Sequence, residues 1–219
     1  MRHFSRALLL AGLAVAAPVL AHAQSADISK VNGSVQVTAG QSAGAVSTVN
    51  GSVHVNDGAH VRDVSAVNGS IELGGLATAD ELSTVNGSIT LGADSRIKGT
   101  VTSVNGRIRL APGAGIGGKL SNVNGTITLD RAHIGGGIET VSGDITVGAN
   151  SRVEGGITVN KPTGWFRRNE TPPVIIIGPH AVVQGTLEFR REVLLKVSDS
   201  AQIGPVKGAS VVKFSGATP

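Results

Sequence analysis

The chain runs to 219 residues with 31 Gly, no Cys, no Tyr, one Trp and four Phe, and carries a formal charge of +4. So few rings exclude an aromatic-packed globular core, and 40% apolar content against 16% charge excludes a disordered chain. The absence of cysteine excludes disulfides, thiolate metal sites, a Cys nucleophile and a lipidated anchor Cys.

Residues 1–23 read as a secretory signal peptide that is cleaved. Arg2 and Arg6 form a positive n-region, Ala7 to Leu20 an apolar h-region, and Ala21-His22-Ala23 a small-x-small cleavage site. The mature chain then begins at Gln24. It loses two Arg and no acid, so its charge falls to +2 and the high pI is no argument for nucleic acid binding. No later stretch approaches the ~18 apolar residues of a spanning helix, so no transmembrane segment is expected in the mature chain.

Residues 24–160 are dominated by one repeat. Val-Asn-Gly-Ser-Val at 31–35 returns at 49–53, and Val-Asn-Gly-Ser-Ile stands at 67–71 and 85–89. Val104-Asn105-Gly106, Val123-Asn124-Gly125 and Val141-Ser142-Gly143 continue the series, with successive Val positions 18, 18, 18, 19, 19 and 18 residues apart. So constant a period marks a solenoid. Within one period the apolar positions are Val49, Val53, Val55, Val61 and Val64, then Val67, Ile71, Leu73, Ala79 and Leu82 in the next. They are read as columns lining an interior. The pair at +4 and +6 has the period of two of a strand, and Gly or Pro interrupts every helical spacing.

The unit fits one coil of an all-β, single-stranded parallel β-helix, with rungs stacked ~4.8 Å apart. A narrow aliphatic interior accounts for the missing rings. Gly33, Gly51, Gly69, Gly87, Gly106, Gly125 and Gly143 are expected at a corner requiring positive φ. Asn32, Asn50, Asn68, Asn86, Asn105 and Asn124 suit the same corner and, stacked in register, form a side-chain amide ladder. A role for these Asn as ligands is the competing reading.

Residues 161–173, KPTGWFRRNETPP, read as a Pro-bounded loop leaving the solenoid. Trp165, Phe166, Arg167 and Arg168 have the composition of an interface hot spot; the alternative is that the rings fold back over the solenoid. In residues 174–219 the spacing resumes without the signature. Ile175, Ile177, Val183 and Leu187 repeat the offsets of Ile89, Leu91, Ile97 and Val101, and Leu195, Val197, Ile203 and Val206 follow. The count is about nine coils, a rod on the order of 40 Å long, capped near Val211-Val212-Lys213-Phe214.

No residue pattern specifies chemistry. Ser34, Ser52, Ser70, Ser88, Arg107, Thr126 and Asp144 form one outward column, and Gln36, His54, Glu72, Thr90, Arg109, Thr128 and Thr146 a second. Only Thr126 and Thr128 make a Thr-x-Thr pair, too little for an ice-binding array. Asp57, Glu72, Asp80, Glu81 and Asp94 occupy different offsets, whereas a glycosidase needs two carboxyls ~5–10 Å apart in one cleft. His54, His60, His133 and His180 lack metal-ligand spacing, Gly135-Gly136-Gly137 reads as a bend, and Arg190-Arg191 as a solvated pair. No catalytic residue, metal site or cofactor is expected.

The V-N-G-S-[VI]-x-[VL] signature over residues 31–160 resembles the DUF4097 family, exported bacterial β-strand-repeat proteins often labelled adhesins. The segment Ile176-Ile177-Gly178-Pro179-His180-Ala181-Val182-Val183-Gln184-Gly185-Thr186-Leu187 resembles the bactofilin, or polymer-forming cytoskeletal, pattern. Both resemblances imply a parallel β-helix, right-handed in keeping with the crossover preference, and neither implies a catalytic residue. The expectation is a non-enzymatic structural protein of the cell envelope, located in the periplasm or at the surface. Its partners would be an envelope protein or a glycan surface, met by adhesion or scaffolding. Self-association through the solenoid ends and a polysaccharide-active enzyme are the alternatives.

Overall fold

A computed structural model describes residues 25–162 and 171–219. The signal-peptide segment and Trp165, Phe166, Arg167 and Arg168 therefore lie outside the described residues. Within them the chain is a parallel β-solenoid: two sheets of ten strands and one of nine, each strand hydrogen-bonded to its counterpart one coil away. Ten strands in each of the two longer sheets make about ten coils, one more than the spacing counts. One rung consists of Val46–Asn50, Val53–Val55 and His60–Val61; the next is Asp63–Asn68, Ile71–Leu73 and Thr78–Ala79. The three sheets are named here the asparagine face, the mixed face and the short face, in the order the chain visits them.

Register follows the repeat. Ile71 pairs Ile89, Ile89 pairs Ile108, Ile108 pairs Ile127 and Ile127 pairs Ile145 on the mixed face. Leu82 pairs Val101 and Val101 pairs Leu120 on the asparagine face. The largest fully buried side chains are all Ile and Leu, and the one aromatic residue in the described core is Phe189. Each fully buried Ile or Leu contributes roughly 1.5–3 kcal/mol, so stability accumulates rung by rung.

The signature valines are an exception, and here the structure corrects the sequence reading. Val49, Val67, Val85 and Val123 are 39–41% exposed, and Val31 is 66% exposed. The inward seat one residue earlier is taken by Thr48, Ala66, Thr84, Ser103 and Asn122, which strand alternation then turns against the following valine. At three of these rungs the side chain in the seat closes the corner. Thr48 Oγ1 donates to Gly33 O at 3.2 Å, Thr84 Oγ1 to Gly69 O at 3.0 Å, and Asn122 Nδ2 to the carbonyls of Gly106 and Gly125 at 3.1 Å.

The corner glycines need a second correction. Gly33, Gly51, Gly106 and Gly125 have positive φ, between +99° and +157°, but Gly69, Gly87 and Gly143 do not. All but Gly33 share close approach: a Cβ on Gly69 would collide with the carbonyl of Gly51, and one on Gly87 with that of Gly69. The left-handed column lies instead at the next corner, before the short face. There Gly40, Gly58, Leu76, Asp94, Gly113, Arg131, Asn150 and His180 all have φ between +45° and +77°.

Two outcomes test these assignments by thermal or urea unfolding. Gly87→Ala forces a Cβ into backbone and is expected to cost about 1–3 kcal/mol. Leu76→Gly relieves a left-handed β-carbon at a side chain that is 67% exposed, and is expected to stabilise by about 0.5–1 kcal/mol.

Candidate functional site

The asparagine face carries the most regular outward surface. Its strands place a hydroxyl column outside (Ser29, Ser47, Ser65, Ser83, Thr102 and Ser121) and, two residues on, the valine column. Neither column holds a charge over six rungs. Beyond the valines runs a ladder of amides. Asn50 Nδ2 donates to Asn32 Oδ1 at 3.1 Å, and Asn68, Asn86, Asn105 and Asn124 each donate to the preceding Asn at 2.9–3.1 Å. All six Asn are exposed, so the ladder is a surface feature whose donors and acceptors are largely consumed by each other. That leaves little capacity for ligation and turns the Asn column into a straight, stiff border.

The mixed face is different in kind. Gln36, His54, Glu72, Thr90, Arg109, Thr128 and Thr146 stand in one register column, and His54 Nδ1 lies 3.1 Å from Glu72 Oε2. His133 meets Glu154 at 3.0 Å and His60 meets Thr78 at 2.7 Å on the short face. These are exposed cross-rung pairs, worth little each. Asp57 accepts from the Gly75 amide at 2.7 Å, and Asp80 pairs with Lys98 at 2.7 Å, so these acids close turns or neutralise neighbours. Among the described residues no three His, Asp or Glu side chains are placed to hold a metal ion.

The repeat breaks at one place. At the seventh rung Ser142 replaces Asn, and sheet pairing at that corner shrinks to a single bridge, Asn124 with Ser142. A polar network takes over from the ladder. Arg191 Nη1 donates to Val141 O at 3.2 Å and to Ser142 Oγ at 3.1 Å, so this Arg is not the solvated residue its sequence position suggests. Asp144 Oδ1 accepts from the Val174 amide at 2.8 Å. Lys119 pairs with Glu139, Glu139 accepts from Asn160, and Asn160 Oδ1 accepts from Arg190 at 3.0 Å. Arg190 in turn binds Glu188 at 3.0 Å, and its guanidinium holds the Glu188 carboxyl below its ordinary pKa.

Two open cavities flank this network. One of about 430 Å³ is lined by Asn124, Ser142, Asp144, Thr171, Pro173 and Arg191. The other, about 700 Å³, is lined by Val141, Asn160, Lys161, Phe189 and Arg190. Lys161 and Thr171 are described residues on either side of the segment that contains Trp165, Phe166, Arg167 and Arg168, and each lines one of these cavities. Sequence reasoning missed Glu139, Asn160 and Arg191 as a group; the one available signal was the loss of the Asn-Gly pair at 142 and 160. No family model, no curated protein and no solved structure matches the chain.

Proposed function

We propose that the chain is a non-catalytic interaction rod of the cell envelope. It is exported by its N-terminal signal peptide and acts in adhesion or scaffolding through the asparagine face. The observation that carries this reading is the valine column: a row of apolar side chains held outward at successive rungs, 39% exposed or more at five of them, beside a column of uncharged hydroxyls. A contiguous apolar strip rimmed by polar groups marks an interaction surface rather than a solvated face. Rigidity adds to it, because side chains fixed by stacking lose little entropy on binding. The partner is an envelope protein or a glycan-bearing surface, and the loop at 161–173 selects it from the end of the same face. No helix among the described residues is long and apolar enough to cross a membrane.

A second reading, self-assembly through the solenoid ends, is favoured by the last rung. There Val211 and Val212 on the terminal strand of the mixed face are 37% and 49% exposed, and that strand has an unpaired edge.

Co-sedimentation of the purified chain with isolated envelope fragments tests the first reading. Val49→Ser combined with Val67→Ser and Val85→Ser is expected to weaken binding about tenfold or more while leaving the β-sheet circular dichroism intact. Retention of full binding removes the face from the account. Trp165→Ser with Phe166→Ser tests the loop in the same assay, with loss of binding expected. Size-exclusion chromatography and electron microscopy across concentrations decide the second reading, for which concentration-dependent polymers are the expected result.

A further inference from the structure

The interior of the solenoid admits no charge along its length and meets one at each end. Among the described residues no charged side chain is buried. On the mixed face an unbroken file of buried Val, Leu and Ile runs from Val37 to Val197, each paired with its counterpart one rung on. The next place in that file, paired with Val197, is Lys213. On the asparagine face the file that holds Thr48 begins one rung earlier, at Lys30. Thr48 and Val197 are buried, so both lysines occupy inward register positions, one on the first described rung and the other on the last. Both lysines are exposed.

A solenoid end is a sheet edge, with unpaired N–H and C=O groups around an apolar cross-section, and so a template for a second copy of the chain. Each end is defended at that edge. Along the rod the carbonyl just past the Asn-Gly corner accepts from the rung before it. Val35 N donates to Ser52 O, Val53 N to Ser70 O and Ile71 N to Ser88 O, each at 2.9 Å. On the first rung the matching acceptor is Ser34 O, and Lys30 Nζ donates to it at 2.9 Å. Lys30 therefore fills the acceptor that an incoming rung needs. At the far end two of the three terminal strands, Gln202–Ile203 and Val206–Lys207, are only two residues long. The one longer edge is Val211–Phe214, and Lys213 stands in it. A rung stacked there would take the Lys213 ammonium out of water against an aliphatic file that holds no acid to pair it.

We infer that Lys30 and Lys213 are end stops, which guard the two terminal rungs against the terminal rung of a second copy and so hold the rod to its own length. A head-to-tail contact is the kind that repeats into a filament. Here it brings Lys213 of one copy and Lys30 of the next into one junction, where two like charges are desolvated together. A tail-to-tail contact sets Lys213 against its own counterpart. Either arrangement gains backbone bonds and apolar burial, and in either the ammonium groups oppose it. The inference rests on the premise of the self-assembly reading, that the edges are competent to pair, and adds what keeps them apart. It leaves the outward columns of the asparagine face untouched, since both lysines lie in inward files.

Sedimentation velocity and electron microscopy of the purified full chain across concentrations test the stops. The native chain is expected to remain a single rod. Lys30→Thr combined with Lys213→Leu gives each file its own residue type. This variant is expected to form rods joined end to end, at concentrations about tenfold or more below any association of the native chain. Lys30→Arg with Lys213→Arg keeps both charges and is expected to behave as the native chain does. Lys30→Gln with Lys213→Gln removes the charges alone and is expected to join as well, which keeps the test decisive if the first pair loses its β-sheet circular dichroism. A native chain that joins as readily as the neutral variants overturns the inference and leaves the self-assembly reading standing. A folded neutral variant that stays a single rod at every concentration overturns both. Assembly of the arginine pair to the same extent as the neutral pairs also overturns the inference, because charge is then not the stop.

Discussion

The contact on which the solenoid depends is backbone against backbone at the Asn-Gly corner. Successive corner glycines lie so close that a β-carbon on one would strike the carbonyl of the one before. The Gly N–H to Asn C=O bonds of 2.8–3.1 Å run through the same points. This corner fixes the phase of every rung, and a one-residue slip would carry the aliphatic side chains of the next two strands to the solvent side. Periods of both 18 and 19 residues therefore coexist, because the extra residue is taken up elsewhere. Between Ala79 and Leu82 the short-face exit has two residues. In the two 19-residue coils, between Ile97 and Val101 and between Ile116 and Leu120, it has three, always including Gly. The Asn-Gly corner stays in register, Asn86 to Asn105 to Asn124, while the third corner absorbs the difference.

This division of labour explains which parts of the structure were legible in the sequence. The stack, its parallel sheets and the outward column from Gln36 to Thr146 followed from spacing alone, because spacing is what the corner contact enforces. The face of the signature valines did not. The strand Val46–Asn50 contains two valines, and only the corner-closing role of Thr48 shows that the second one points outward. Nothing in the local pattern separates an inward Thr48 or Ser103 from an outward Ser47. The left-handed column was illegible for another reason. Its occupants, from Gly40 through Leu76 and Arg131 to His180, share a backbone conformation and no chemistry, because the exposed side chain there is under no packing constraint.

The ladder end was the least legible part, since its contacts join residues far apart in sequence. Arg191 meets Ser142 across 49 residues and Arg190 meets Asn160 across 30. Such contacts have no period. They arise because the loop at 161–173 separates neighbours in space by more sequence than any regular coil, and each side chain alone reads as an ordinary surface polar group.

Loop, network and broken ladder have one physical cause. The corner is bound on both sides by stacked glycines up to Gly125, and the stack ends at Gly143, after which Asn160-Lys161 occupy the corner. Where pairing narrows to the Asn124–Ser142 bridge, backbone groups beside it take side-chain partners, Arg191 on Val141 O and Asp144 on the Val174 amide. Charged side chains can do this where neutral amides do so elsewhere because the corner is open to solvent through two cavities, which lowers the cost of bringing charge to it. The six rungs before this point thus present an uncharged, invariant strip. The rungs after it present charge, because beyond Gly143 the Asn-Gly corner that held the strip in register is gone.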